Sequence, residues 1–308
     1  MTGGRWTFEE IAPGEAHCHH VLKETYKSHT AHQLIEVLET RGYGRGLFLD
    51  GRIQHVAKDE FVYSESMIHP AMLFLEGRCD RAMCIGAGPG GVVRELLRYA
   101  SVGEVAQVEI DEEVINVSRQ FFRHITAGAE RDPRFKLVIA DALDLLSQPG
   151  ERYDLIVNDV SEPTQDSPAA AMFSERTLAM VRSRLSERGL YVTWCGSVGL
   201  SSATLAARIS AAVGGAFPFS YRYITHPQSY GTIWMTAIGS TRPLDPMAFS
   251  RNSVDLHITS MIGTDLSYYD GETHHNMFSI PKSVRDALAS ADLSAPIQLT
   301  LSAMNDAS

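Results

Sequence analysis

Two rhythms of apolar residues divide the chain. In the first sixty-odd positions, short apolar runs alternate with polar residues or cluster between glycine-containing turns: HQLIEVLET, RGLFLDG and RIQHVA, punctuated by RGYGRG and LDGR. This predicts a small antiparallel sheet. From about Arg81, strand-like and helix-like runs take turns. RAMCIGAG reads as a buried strand entering a glycine turn and GVVRELLRYA as a helix. EVAQVEI is a strand, and DEEVINVSRQFF a helix whose leading acids suit the positive end of its dipole. FKLVIA, YDLIVNDV and GLYVTWCG continue as strands, with helical FSERTLAMVRSRLSE before the last. Helical SATLAARISAAV and the apolar runs SYRYITH and GTIWMTAIG follow. Repeated βα units predict a parallel sheet covered on both faces, with two late strands able to pair antiparallel.

The chemistry gathers at the predicted strand ends. After the first strand of the second rhythm, Gly86, Gly88 and Gly91 fit G-x-G-x-x-G, and Gly86, Gly88 and Gly90 fit a looser G-x-G-x-G. Either permits a tight turn and close approach of a nucleotide to a helix N-terminus. Glu109 ends the next strand, where an acid accepts ribose hydroxyls in both dinucleotide and adenosyl-sulfonium sites. Asp141 follows the third strand, placed to accept from an adenine amino group while capping the next helix. Asp159 follows the fourth, at the sheet edge where open α/β folds hold ligands. Four successive strand ends thus describe a nucleoside site with one extra carboxylate facing it.

Composition narrows the partners. The net charge of −10 argues against broad nucleic-acid binding and is compatible with a cationic small molecule. Four cysteines, Cys18, Cys79, Cys84 and Cys195, show no framework spacing. The start MTGGRWTFEE lacks the pattern of a signal peptide, and the apolar stretch 190–219 is broken by Ser, Arg and Gly, so no membrane span is expected. These readings predict a reduced cytoplasmic protein. His17 to His20, in HCHH, are expected in a surface loop and not as a metal site, and no metal is expected at all. Cys84 and Cys195 read as buried, inert thiols, His274 as structural and His69 as a packing residue.

With their flanks these residues resemble the polyamine aminopropyltransferases, the spermidine, spermine and thermospermine synthases. The resemblance is carried by LFLDGRIQHVAKDEFVYSESMIHPAML, VEIDEEVINVSRQFF, NDVSEP in place of the family's D-x-x-D-P, HPQSYGTIW, and YYDGETHHNMFSIPKSVRDAL with its final helix. It implies a Rossmann-like AdoMet-dependent transferase sheet with helices on both faces (67–308), preceded by a small antiparallel β domain (1–66). It implies a homodimer or homotetramer. It also implies roles for individual residues. Gln33 and Gln54 line the donor site, Glu109 holds the ribose, and Asp141 with Ala142 the adenine. Asp159 is the base that deprotonates the attacking amine, oriented by Tyr63. Glu162 and Tyr230 bind the acceptor.

Two positions depart from that pattern. The acid expected in the glycine loop, which holds the amine of the donor's arm, is Pro89, and the second amine reader after Tyr63 is Ser64. An acid there favours decarboxylated AdoMet and repels the carboxylate of intact AdoMet; losing it forfeits a charged hydrogen bond of roughly 1.5–3 kcal/mol. The sequence therefore leaves open aminopropyl transfer to a polyamine or related amine, methyl or 3-amino-3-carboxypropyl transfer from intact AdoMet, or a catalytically silent nucleoside-binding subunit.

Overall fold

The computed structural model describes residues 5–126, 128–163, 168–264, 266–294 and 297–298; MTGG, at the head of the segment read for a signal peptide, lies outside them. The N-terminal alternation folds as five antiparallel strands in sequential order: β1 (Arg5–Ala12), β2 (Glu15–His29), β3 (Leu34–Thr40), β4 (Gly44–Leu49) and β5 (Arg52–Val56). Asp50 and Gly51 connect β4 to β5 as a two-residue turn, both at positive φ (50° and 76°), the backbone that suits the twist of a hairpin.

HCHH corrects one expectation. It lies inside β2, paired with β1, and not in a surface loop. His17, His19 and Val21 take alternate positions; His19 and Val21 are buried, and the rings of His17 and His19 meet edge-on at 4.6 Å. Histidine fills slots that a strand pattern reserves for apolar residues, which hides the period of two.

α1 (Glu60–Phe74) follows, with every residue but Phe61 buried. The expected domain boundary between residues 66 and 67 falls within it. Its Glu65 carboxylate accepts the backbone N–H groups of Ser267, Tyr268 and Tyr269 at 2.8–2.9 Å, tying the C-terminal segment to the helix.

The second sheet has seven strands: β6 (Arg81–Gly86), β7 (Glu104–Glu109), β8 (Phe135–Ile139), β9 (Tyr153–Asp159), β10 (Leu185–Ser197), β11 (Phe219–Thr225) and β12 (Trp234–Ser240). Their order is β11-β12-β10-β9-β6-β7-β8. Strands β10, β9, β6, β7 and β8 are parallel and β12 runs antiparallel to both β10 and β11, as the late apolar runs predict. The intervening helices are α2 (Gly91–Leu97), α3 (Glu112–Phe121), α4 (Arg123–Thr126), α5 (Ala142–Ser147), α6 (Glu175–Ser183) and α7 (Ala203–Ala216). α8 (Arg251–Ile262), α9 (Gly271–Phe278) and α10 (Lys282–Ser290) follow the sheet. Pro281 separates α9 from α10. Among the described residues no helix is long and apolar enough to cross a membrane.

The first sheet shares a core with helices that flank the second. Ile35, Val37, Leu47 and Leu49 of the first pack on Val114 and Val117 of α3 and on Phe122 and Ile125 beyond it. The first sheet thereby covers part of the carboxyl edge of the second.

Candidate active site

β6 is the point at which the sheet changes direction: β7 and β8 extend it to one side, β9 and β10 to the other. Loops leaving β6 and β9 therefore diverge and leave a crevice at the carboxyl edge. The first sheet walls it into a cleft of about 1300 Å³, mouth included. Gln33, Gln54, Tyr63, Gly86, Gly88 and Glu109 line it, as do Asp141, Ala142, Asp159, Glu162 and Tyr230. Eleven of the fourteen residues singled out in the sequence thus meet in one place.

Gly86 is dictated by the strand ends. It stands beside Asp159 in the parallel register, at φ +78°, and a Cβ there would lie 2.5 Å from the Asp159 carbonyl oxygen. The Gln107 side-chain amide donates to the carbonyls of Gly86 and Gly88 at 3.0 and 3.2 Å and fixes the loop.

Glu109 and Asp141 form the nucleoside end. Glu109 Oε1 accepts from the Asp111 backbone N–H at 3.1 Å, and the residue lines the cleft. Burial pushes its carboxyl up to about 7; hydroxyl donors arriving there favour the charged form. Asp141 Oδ1 caps α5 through the Leu143 N–H at 2.8 Å, and Oδ2 is left for an amino group. Gln33 reaches the same end, donating to Asp111 Oδ2 at 3.1 Å. This donor set and the glycine-rich loop fit an adenosyl group.

Asp159 sits at the centre. The Tyr63 hydroxyl donates to its Oδ1 at 2.5 Å. Burial raises its carboxyl to about 7, opposed by that hydrogen bond and assisted by Glu109. Tyr63 stays a neutral phenol, pushed well up by burial and by Asp159. Tyr230 stands 6.1 Å from Tyr63, ring to ring, and 5.2 Å from Trp234, and its hydroxyl donates to the Gln54 carbonyl at 2.8 Å. Its loop is held by Asp59, which accepts from the Ser229 N–H and hydroxyl at 2.8 and 2.9 Å.

Beyond Tyr230 lies an ion cluster that the sequence reading missed in part. Glu9 and Glu162 face the cleft. Arg52 is buried against both, in a two-pronged ion pair with Glu162 and 3.1 Å from Glu9 Oε1. Glu9 carried no signal: two adjacent acids near a chain start read as solvent-exposed. His55 was also missed. Burial pushes it down to about 4, so it is neutral, and its Nδ1 has no partner among the described residues. It packs edge-on to Tyr63 at 6.2 Å, close to Gly88.

Three expected donor contacts fall outside the cleft lining. Ser64 is fully buried, donates to Glu60 Oε2 at 3.0 Å and would collide with any Cβ on Gly91. Glu60 is itself clamped by Arg94, at 2.7 and 3.1 Å. Helix geometry turns Ser64 onto its i−4 neighbour and away from the cleft. Pro89 and Gly90 border a small separate depression behind the loop, and Gly90 caps α2 at φ +84°. The residues set aside behave as packing residues: Cys84 and Cys195 are buried thiols, His69 bonds Tyr99 and Glu95, and His274 bonds Tyr269 and the Pro246 carbonyl.

Comparison with known proteins bears on this geometry directly. The spermine/spermidine synthase domain matches residues 60–248 and the spermidine synthase tetramerisation domain residues 5–56. A polyamine aminopropyltransferase of Saccharolobus solfataricus is 31% identical over 285 residues, covering 92% of this chain and 93% of that protein. One of Sulfurisphaera tokodaii is 31% identical over 283 residues, with the same coverage. The crystal structure of spermidine synthase from Thermotoga maritima superposes with a TM-score of 0.81 at 25% identity, covering 94% of this chain and 97% of that one. A spermidine synthase in complex with the transition-state analogue AdoDATO gives 0.82 at 24% identity and the same coverage.

Proposed function

The chain belongs to the spermine/spermidine synthase family, and from that premise we propose that its cleft transfers an aminopropyl group from decarboxylated AdoMet to an amine. One observation carries this reading: a carboxylate raised to about 7, held by a tyrosine hydroxyl, between a nucleoside end and an acidic end of the same cleft. The sulfonium donor supplies an electrophilic carbon and a neutral thioether leaving group. Glu109, Asp141, Ala142, Gln33 and the Gly86–Gly88 loop hold the adenosine. Tyr63 occupies Asp159 Oδ1 and leaves Oδ2 to take the proton from the acceptor nitrogen as the N–C bond forms and the C–S bond breaks. An alkylammonium has a pKa near 10, so a carboxylate at its ordinary 3.8 would be a weak base for it. Raising the carboxylate to about 7 narrows that gap.

A second reading, transfer of a methyl or 3-amino-3-carboxypropyl group from intact AdoMet, is favoured by the placement of Pro89 outside the cleft lining and of Ser64 on Glu60. Incubation with either donor and a panel of amines, read by product mass and by release of the thioether, decides between them. Methylthioadenosine with an aminopropylated amine supports the first reading; product from intact AdoMet alone overturns it.

The assembly we propose is a homo-oligomer joined through the first sheet, where Trp6, Phe8 and Leu22 are 49–57% exposed on β1 and β2. Light scattering of Trp6→Glu and Phe8→Glu against the unaltered chain tests it. With four free thiols, the protein is read as cytoplasmic.

A further inference from the structure

The arm of the donor lacks both of its expected readers. Pro89 carries no side-chain acceptor and borders the depression behind the loop, and the Ser64 hydroxyl is given to Glu60. Gln54, in the same cleft, turns its amide nitrogen back onto the Arg52 carbonyl at 3.3 Å. An ammonium taken out of water beside the glycine loop needs a hydrogen-bond partner from somewhere else.

His55 is placed to meet it. β4 and β5 pair Leu47 with His55 and Phe48 with Ile53, so Gln54 is the extra residue of a bulge. Neighbours on a regular strand face opposite ways; the bulge lets Gln54 and His55 both line the cleft. The Nε2–Cδ2 edge of the ring is turned toward the glycine loop: a Cβ on Gly88 would lie 3.8 Å from Cδ2 and 3.9 Å from Nε2. The other side chain met there, Leu47 at 4.0 Å, is apolar. On its other side the ring meets Tyr63, which holds Asp159. His55 thus stands one ring away from the reacting centre, over the residue that precedes Pro89.

The ring's hydrogen-bonding capacity is unspent. Nδ1 is sealed from water and has no partner among the described residues. With the proton on Nδ1, the lone pair lies on Nε2, at the edge that faces the loop. Burial keeps the ring neutral; Glu60 draws its pKa up and Arg94 pushes it down, and those two are paired with each other at 2.7 and 3.1 Å. A neutral imidazole can therefore accept from a cation without bringing a charge of its own.

We propose that His55 reads the arm of the donor: its Nε2 accepts a hydrogen bond from the ammonium of decarboxylated AdoMet, in place of the acid that position 89 lacks. The inference rests on the amine-armed donor of the proposed function, and its test uses inert ligands so that the two can fail separately. S-adenosyl-3-thiopropylamine carries the arm and its ammonium on a thioether; propylthioadenosine has the same arm without the ammonium. Calorimetry gives the ratio of their Kd values for the unaltered chain and for His55→Phe, which keeps the ring against Tyr63 and removes the nitrogens. The unaltered chain should favour the amine-bearing thioether at least tenfold. His55→Phe should lower that preference by about tenfold to a hundredfold, the equivalent of one hydrogen bond to a charged group, with propylthioadenosine binding changed by less than about threefold. His55→Gln, whose amide oxygen can accept in place of Nε2, should recover most of the preference. If His55→Phe does not fold, His55→Met takes its place. A preference unchanged in these variants, or an unaltered chain that binds both thioethers alike, overturns the proposal and leaves His55 a packing residue. Should product form from intact AdoMet alone, the proposed function has failed instead, and the thioether ratios still decide on His55.

Discussion

Replacing Asp159 by asparagine should make the protein more stable and almost inactive, and the stability gain should depend on pH. Burial moves its carboxyl from the ordinary 3.8 to about 7. The folded value lies above the unfolded one, so ionisation costs nothing while both states hold the proton. The cost then grows as pH rises from about 4 through about 7. Well above that it reaches about 4 kcal/mol, an upper bound because the cleft admits water. At pH 5 the same displacement costs only about 1.5–2 kcal/mol. Asparagine keeps the oxygen that accepts from Tyr63 and never ionises. Asp159→Asn should therefore gain about 2–3 kcal/mol more at pH 8 than at pH 5, a melting-temperature gap of roughly 3–5 °C between the two conditions. Calorimetry of both proteins at both pH values checks this. Turnover should fall by roughly 10²–10⁴ as general-base help is lost, while methylthioadenosine binding changes by less than about threefold. A stability gain equal at both pH values, or a variant turning over within tenfold of the original, would refute the assignment of Asp159 as a buried base.

Three further substitutions test the rest of the site. Tyr63→Phe removes the hydrogen bond that opposes the rise of Asp159; the acid limb of the kcat/KM profile, which falls as Asp159 is protonated, should move to higher pH, and an unmoved limb would separate the two residues. Glu109→Gln should weaken methylthioadenosine binding by roughly tenfold to a hundredfold, the equivalent of a charged hydrogen bond, with the acceptor KM at saturating donor unaffected. Gly86→Ala puts a Cβ 2.5 Å from the Asp159 carbonyl oxygen at φ +78°; a loss of about 1–2 kcal/mol from the backbone alone should lower the melting temperature, and displacement of Asp159 should cut activity at least a hundredfold.

What the sequence determined by itself is what is local or periodic. Alternation of βα units predicts the parallel sheet, and in such a sheet every strand ends at the same edge. Gly86, Glu109, Asp141 and Asp159 can therefore be assigned to one site although 73 positions separate the first from the last. The two-residue Asp50–Gly51 turn is legible for the same reason, since its conformation depends on its own backbone. Tertiary structure decided whatever depends on which face a side chain takes and what it meets there. Ser64 follows Tyr63 on α1, yet one helical step of about 100° sends Tyr63 to Asp159 and Ser64 to Glu60. HCHH looks too polar for a strand until β1 pairs with its backbone and Tyr43 and Phe48 close over His19. Glu9, Arg52 and Glu162 come from a first strand, a fifth strand and a loop after the ninth. No spacing rule joins them. Only burial does, because three charges taken out of water must be matched to one another.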